Sequence, residues 1–392
     1  MKKILFVIPT LRMGGAEKSL VSLLRAMDPA RAEVDLLMFE DGGVLQKDVP
    51  EWVRVRVADP VTRAMTLEMR TYFPDLIRGG HFAAGAARFA MTLRSRLSGR
   101  LGPAFGWGRI ARFIPEAEGR YDVAVGFLEG FADFYVLDKV QADRKIGWIH
   151  TDMSGRAFPE EEAGYYARFD ALATISEQCR EAFAAAFPLA GRKIRVVENI
   201  VLPEEVRKKA AQPVWTEWAQ DRLHLVTVGR LDYQKGIDIA ARACRVLLDR
   251  GEKVCWHIYG KGVMHDEIAS YGKENGLEGS FLLEGLTENP YPYLRQAAVV
   301  VQPSRWEGKS LVLDEAKILG KAIVATNYPS VGDQLQDNVT GILTGMEPEA
   351  LAEGIQRVLH DDELRARLEE NCLRQANRSI QAVDKVYEML GI

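Results

Sequence analysis

The stretch Ser304-Arg305-Trp306-Glu307-Gly308-Lys309-Ser310-Leu311-Val312-Leu313-Asp314-Glu315-Ala316 sets two glutamates, with seven residues between them, across a junction from loop to helix. A carboxylate can accept both protons of a vicinal diol on its two oxygens, which is the chemistry of sugar recognition. Val299-Val300-Val301-Gln302 is a continuous β-branched run of the kind that forms a buried parallel strand, and Pro303 ends it. Ser310 is read as the N-cap of a helix that starts at Leu311, and Gly320 stands where a left-handed residue beyond the helix end belongs. Glu307 is therefore expected in the loop at a strand's carboxyl end, and Glu315 about one turn into the helix. Ligands of open α/β sheets bind at that end. Neither acid has an obvious cation beside it, so both are expected to accept bonds from ligand hydroxyls. On an ordinary αβ unit the same two acids would be solvated surface groups, and the rest of the chain has to decide between these readings.

A second stretch offers anion chemistry. Val228-Gly229-Arg230-Leu231-Asp232-Tyr233-Gln234-Lys235-Gly236-Ile237 reads as a strand end, a loop with two cations and a helix start. Arg230 can fork onto two phosphate oxygens and Lys235 adds a mobile point charge. The following helix contributes N–H groups and the positive end of its dipole. At roughly 1.5–3 kcal/mol per charge-assisted bond, these groups suffice to hold a diphosphate without a metal. An arginine and a lysine on a solvated loop is the plain alternative. Gly14-Gly15 ends the first strand of the chain, where glycine lets backbone approach a phosphate or sugar. It lacks the Gly-Lys-Ser/Thr of a Walker loop and is no G-x-G-x-x-G fingerprint. Tyr259-Gly260-Lys261-Gly262 reads as a structural turn beside the same site.

The elements that must carry these residues alternate strand and helix. Strands are expected at 4–8, 34–39, 53–57, 123–127, 146–150, 171–175 and 194–197, then at 223–228, 254–259, 281–283, 299–302, 322–325 and 341–343, with helical patterns between most of them. Residues 200–222, with Pro203, Pro213 and a charged patch, interrupt the rhythm and read as a linker. The expectation is an α/β chain of two Rossmann-like parallel-sheet domains facing each other across a cleft, residues 1–202 and 203–378.

Bulk composition sets limits on this reading. A chain of 392 residues with 47% hydrophobic and 27% charged residues fits a globular protein of two domains. No apolar run is long enough to span a bilayer, and Met1-Lys2-Lys3-Ile4 runs into a strand without a signal-peptide pattern. The 4 cysteines are scattered without C-x-x-C and the 6 histidines are spread out. This points to a reducing cytoplasm and argues against a zinc site or a metal enzyme. A net charge of −4 argues against nucleic-acid binding.

One segment departs from that acidic balance. Residues 76–115 hold no acid but carry Arg78, Arg88, Arg94, Arg96, Arg100, Arg109 and Arg112. Phe82, Phe89, Leu93 and Leu97 share one face at helical spacing, with Arg88 and Arg94 on its flanks. Such a helix suits a membrane interface whose arginines reach lipid phosphates, with Trp107 and Phe113 as further anchors. A core-facing helix with solvated arginines is the alternative. An anionic acceptor, such as a polyprenyl-diphosphate-linked sugar, accounts for the same charge.

Taken together, the tandem Rossmann-like halves, Gly14-Gly15-Ala16-Glu17, the Gly229-Arg230…Lys235-Gly236 loop and the Glu307…Glu315 pair resemble the retaining glycosyltransferases of family 4, which have the GT-B fold. The resemblance covers nearly the whole chain, most strongly over 223–345. It implies that Arg230 and Lys235 grip the donor pyrophosphate and that Glu315 holds the ribose hydroxyls. Glu307 would contact hydroxyls of the transferred sugar, helped by backbone around Gly308, Lys309, Ser310 and Leu311. Gly14 and Gly15 would let the amino-terminal loop reach the diphosphate or sugar, and backbone near Leu286 would read the base. His150 matches a histidine of that family at the edge of the first domain, where it would bond the donor sugar. The last helix, within 379–392, would cross back onto the first domain. Lys309-Ser310 departs from the Phe-Gly of many members, which leaves the sugar open.

The implied reaction moves a hexose or N-acetylhexosamine from a nucleotide sugar, UDP by family preference, in α linkage to a lipid-linked or cell-surface glycan. The implied enzyme needs no metal or other cofactor and works at the inner face of the cell membrane. Glu129, Arg88, Arg94, Arg96 and Arg100 are the candidates for acceptor or lipid contact. A nucleotide-sugar 2-epimerase of the same fold and a non-catalytic subunit of a glycan assembly complex are the competing readings. An NAD-dependent dehydrogenase is disfavoured by the missing fingerprint.

Overall fold

Thirteen strands, all paired in parallel, form two sheets in the computed structural model, which describes residues 1–67, 69–98, 106–154, 158, 160–214 and 218–392. Every strand expected from the β-branched runs is present. The chain divides into two compact units, one of Met1–Ile200 with Ala382–Ile392 and one of Val201–Gln381.

The first unit holds β1 (Lys2–Ile8), β2 (Ala32–Met38), β3 (Arg54–Val57), β4 (Arg120–Gly126), β5 (Gln141–Ile149), β6 (Ala171–Thr174) and β7 (Ile194–Val196). Their spatial order is β3-β2-β1-β4-β5-β6-β7. Ile4 of β1 stands beside Val34 on one side and Val123 on the other. The order therefore reverses between β1 and β4. Ile4 to Ile8 are all buried, as both faces of a parallel sheet must be. The helix Ala382–Leu390 belongs to this unit. It is fixed there by Asp28 N–H donating to the Tyr387 hydroxyl at 2.7 Å, by Arg31 over the Tyr387 ring and by an Arg195–Glu388 ion pair.

The second unit holds β8 (Leu223–Val228), β9 (Val254–Tyr259), β10 (Phe281–Gly285), β11 (Val299–Gln302), β12 (Ile323–Thr326) and β13 (Ile342–Thr344), in the order β10-β9-β8-β11-β12-β13. Here the order reverses between β8 and β11, so the loops leaving those two neighbours open side by side. That is the topological switch point at which such sheets bind ligands. The helix Ile237–Asp249 buries Ile239, Ala240, Ala243, Cys244 and Leu247 against the sheet and so fixes its own first turn next to β11. The helix Pro203–Ala210, within the stretch read as a linker, is an ordered part of this unit with Val206 buried beside Ile318.

Within the basic segment, Phe82–Ser98 forms a helix. Trp107 is not an interfacial anchor: it lies fully buried in the core of the first unit and donates from Nε1 to Asp138 at 2.7 Å. Phe113 is half-buried against the same core. An aromatic residue after a run of arginines resembles a membrane anchor in sequence, but here Asp138 supplies the indole with a partner inside the fold.

Candidate functional site

Two loops of the second unit are stapled together at the switch point. The first follows β8 and contains Arg230 and Lys235; the second follows β11 and contains Glu307. Gly236 sits between the first loop and the helix Ile237–Asp249 with φ of +63°, and an added Cβ would lie 2.0 Å from the Pro303 carbonyl oxygen. Only glycine serves there, because the backbone is left-handed and in contact with the other loop. Arg305 of the second loop forks onto Asp238 at 2.8 and 2.7 Å, donates to the Tyr233 carbonyl at 2.8 Å and lies over the Tyr233 ring. Gln234 donates to the Trp306 carbonyl at 3.0 Å. Gly260 and Gly262 let the turn after β9 press against the first loop, where an added Cβ would meet the Gly229 and Leu231 carbonyls at 1.7 and 2.1 Å.

Glu307 is not free of cations. Lys235 Nζ donates to Glu307 Oε1 at 2.6 Å, and both side chains are largely shielded, 17% and 7% exposed. The same oxygen accepts from Ser304 Oγ at 2.7 Å and Gln302 Nε2 at 3.0 Å, and Oε2 has a long contact of 3.4 Å from Gln234. Sequence reading missed this pair because its members are 72 positions apart and meet only through the adjacency of β8 and β11. Arg230 is mostly exposed, paired with Asp232 at 2.9 Å and bonded to Gln234 at 3.2 Å. Lys235 is thus paired with Glu307, and Arg230 with Asp232, just before the amino end of a 13-residue helix.

The second loop continues into the helix Leu311–Ile318, where Glu315 is buried and accepts from the Tyr291 hydroxyl at 2.9 Å. Ser310 occupies the N-cap position, but its hydroxyl makes no cap bond and instead meets Gln302 Oε1 at 3.2 Å. Gln334 does the holding. Its carboxamide accepts from Ser310 N–H and donates to the Ser310 carbonyl, both at 2.8 Å, and Ser330 Oγ donates to the Glu307 carbonyl at 2.7 Å. The backbone from Glu307 to Ser310 is thus fixed from both sides, with Lys309 directed toward Asp314 at 3.8 Å. Leu286 follows β10 and is 61% exposed. Gln234, Asp238, Gln302, Arg305, Ser330 and Gln334 carried no sequence signal, since a polar residue in a loop declares its partner only through the fold.

In the first unit, Gly14 is the N-cap and Gly15 the first residue of the helix Gly15–Ala26, which follows β1. Glu129 follows β4 and His150 follows β5. The structure joins these two: Glu129 Oε2 accepts from His150 N–H at 2.9 Å, and Oε1 accepts from the Thr151 hydroxyl. The His150 ring packs on Phe127 and Trp148, and both ring nitrogens are shut from solvent. Burial lowers its pKa to about 3, so the ring is uncharged at neutral pH. Asp133 is fully buried nearby, and burial, reinforced by Glu129, pushes its carboxyl well above the usual range.

On the helix Phe82–Ser98 the four apolar residues of one face are all outside the core: Phe82 65%, Phe89 55%, Leu93 48% and Leu97 80% exposed. Arg88 is half-buried and donates to the Leu67 carbonyl at 3.0 Å, so it caps the end of the helix Pro60–Thr66 and does not point outward. Arg94 is exposed. The Arg96 side chain and Arg100 lie outside the described residues. Among the described residues no helix is long and apolar enough to cross a membrane.

The second unit carries a known signature. Residues 209–375 match the family model for glycosyl transferases group 1. An N-acetylgalactosamine-N,N'-diacetylbacillosaminyl-diphospho-undecaprenol 4-alpha-N-acetylgalactosaminyltransferase of Campylobacter jejuni is 29% identical over 223 residues, 56% of this chain and 58% of that protein. A poly(ribitol-phosphate) alpha-N-acetylglucosaminyltransferase of Staphylococcus aureus is 28% identical over 141 residues, 36% of this chain and 29% of that protein. The aligned parts thus span 58% of the one relative's length and 29% of the other's. Among solved structures, Anabaena HepE in complex with UDP and glucose superposes with a TM-score of 0.70 at 18% identity over 100% of both chains. A variant of S. aureus TarM superposes with a TM-score of 0.71 at 16% identity over 100% of this chain and 99% of that one. The fold shared with these two is GT-B.

Proposed function

We propose that this chain is a retaining glycosyltransferase of the family 4 type. It moves a hexose or N-acetylhexosamine from UDP, in α linkage, to a lipid-linked or cell-surface glycan acceptor. The observation that carries the reading is the cluster of Arg230, Lys235 and Glu307 at the switch point of the very unit that matches the glycosyl transferases. The acceptors named for the Campylobacter and Staphylococcus relatives, an undecaprenol diphosphate glycan and a poly(ribitol phosphate), support an anionic acceptor here.

In this reading the acceptor oxygen attacks the anomeric carbon on the face from which the diphosphate departs. The bond from that carbon to the phosphate oxygen breaks, and the leaving oxygen takes the acceptor's proton. Arg230, Lys235 and the amino end of the helix Ile237–Asp249 meet the charge that grows on the diphosphate. Fixed donors of this kind each contribute on the order of 10²–10³ in rate. Glu315 takes the ribose hydroxyls, and Glu307 presents Oε2 to a sugar hydroxyl while Oε1 stays anchored. His150 meets a sugar hydroxyl with an uncharged ring only once a ring nitrogen, closed to solvent in this fold, is uncovered, and Glu129 holds its backbone. No metal step is needed, because the cations are supplied by side chains.

The membrane side of the proposal rests on the exposed apolar face of Phe82, Phe89, Leu93 and Leu97 within a segment that contains seven arginines and no acid. It places the chain against an anionic membrane, at the inner face.

The test is a panel of nucleotide sugars with the purified chain, read by thermal shift and by UDP release with a polyprenyl-diphosphate-linked glycan acceptor. Acceptor-dependent UDP release that survives EDTA is expected. A new sugar nucleotide formed from donor alone would establish the epimerase instead, and no binding of any nucleotide sugar would overturn both.

A further inference from the structure

Away from the switch point, the amino-terminal half of the second sheet gathers three metal-ligating side chains. His224 of β8 stands beside Cys255 of β9, and Val226 beside His257, so both histidines and the cysteine lie on one face. The ligand atoms of His224, Cys255 and His257 all fall within 4.8 Å of one another. Gly229, where the candidate donor loop begins, is three residues beyond Val226, the neighbour of His257, about 10 Å at strand rise. The cluster is separate from that loop.

The hydrogen bonds fix the tautomers. His224 Nε2 lies 2.8 Å from the Ala219 carbonyl oxygen, which can only accept, so this nitrogen carries the hydrogen. His257 Nδ1 lies 2.7 Å from Glu284 Oε1, a carboxylate oxygen, so it too carries the hydrogen. The two remaining nitrogens, His224 Nδ1 and His257 Nε2, face each other at 2.9 Å. In neutral rings both present lone pairs, and two lone pairs at that separation repel unless a cation lies between them. A carbonyl or carboxylate on the far nitrogen is also the usual outer support of a metal-binding imidazole. Trp218 stacks on both rings, with centroids 4.6 and 4.5 Å away, and closes one side.

We propose that His224 Nδ1, His257 Nε2 and Cys255 Sγ bind a divalent transition cation, Zn²⁺ by the softness of the donor set, as a structural site joining β8 and β9. Two imidazoles and a thiolate suit zinc, with water as a fourth ligand. At nitrogen–zinc bonds of 2.0–2.1 Å and a tetrahedral angle, the nitrogens separate to about 3.3 Å, so the facing pair opens by a few tenths of an ångström. Cys255, now directed at the Gly279 carbonyl at 3.8 Å, gives its thiol proton to solvent and forms the sulfur–metal bond. The thiolate and Glu284 together balance the double charge. His224 and Glu284 are partly open to solvent and provide the way in.

The test uses the full chain, stripped of metal and titrated with Zn²⁺ and with Co²⁺. One equivalent of zinc is expected, with a rise in Tm, and cobalt is expected to give a sulfur-to-metal charge-transfer band. Cys255→Ala removes that band, and Glu284→Gln keeps it while weakening binding about 10- to 100-fold. UDP-sugar binding at 25 °C is expected to be the same with and without zinc, which separates this site from the proposed transferase site. Absence of the cobalt–thiolate band in the wild-type chain, or zinc binding equal in wild type and Cys255→Ala, overturns the proposal and leaves a shared proton between the rings.

Discussion

Lys235 Nζ and Glu307 Oε1 are 2.6 Å apart, at the ends of two strands that are neighbours in the sheet but far apart in the chain. The contact decides which oxygen of Glu307 can serve a ligand. Oε1 already accepts from Lys235, Ser304 and Gln302, whereas among the described residues Oε2 has the 3.4 Å contact with Gln234 alone. It also holds the lysine in place before any diphosphate arrives, so the charge need not be gathered at the moment of binding.

Removing the two cations should therefore have different signatures. Arg230 is mostly exposed and paired only at the surface, so Arg230→Ala is expected to leave Tm within about a degree. Lys235→Ala strips a partner from a shielded carboxylate and is expected to cost about 1–3 kcal/mol of stability. Both should lower turnover on the order of 10²-fold or more. Urea denaturation alongside UDP-release kinetics separates the two. Equal stability loss in both variants would contradict the assigned burial of the pair.

Gly236 gives a prediction about geometry alone. Its φ of +63° and the 2.0 Å approach of an added Cβ to the Pro303 oxygen mean that Gly236→Ala must push the two loops apart. A loss of about 2 kcal/mol or more is expected, together with weaker UDP binding, although no charged group has changed. Isothermal titration with UDP and a denaturation curve on the same variant check both parts.

The sheets were legible in the sequence because buried parallel strands are written as unbroken β-branched runs such as Val299-Val300-Val301. The loops at their carboxyl ends were legible too, since glycines and prolines mark where strands stop. Partners were not. Glu307 looked free because Lys235 becomes its neighbour only once β8 and β11 lie side by side. Ser310 looked like a helix cap, but Gln334, 24 positions away, holds the backbone there. The same blindness hid the meeting of His224 with Cys255 and His257, which lie 31 or more positions further on and are brought beside it by the register of β8 and β9.

The exposed face of the helix Phe82–Ser98 leads to a binding experiment. Phe89→Glu with Leu97→Glu should reduce binding to vesicles containing anionic lipid while leaving Tm unchanged, because both side chains are outside the core. Arg94→Glu should weaken binding and its salt dependence, at about 1 kcal/mol for each basic group near the surface. Arg88→Ala should instead lower Tm, because that guanidinium serves the Leu67 carbonyl. Cosedimentation at two ionic strengths reads the first two variants, and vesicle binding indifferent to both would return the helix to plain scaffold.

His150 yields a pH dependence with a definite sign. In the fold its ring takes a proton only near pH 3 because burial opposes the charge, whereas in the unfolded chain it does so near pH 6.5. Between those values the unfolded state binds more protons, so this contribution to stability is whole above about pH 6.5 and falls at about 1.4 kcal/mol per pH unit as the pH drops toward 3. Asp133 and Glu162, whose carboxyls burial shifts upward, push the other way. The difference between wild type and His150→Gln isolates the histidine, since both acids are present in each. Urea midpoints at intervals from pH 7.5 to 5 are expected to diverge, with the wild type losing more stability at the acid end. Turnover of His150→Gln should fall at every pH without moving the profile, because a ring that stays neutral across this range acts as a hydrogen-bonding group and not as the titrating base. A shifted profile would make it the base after all.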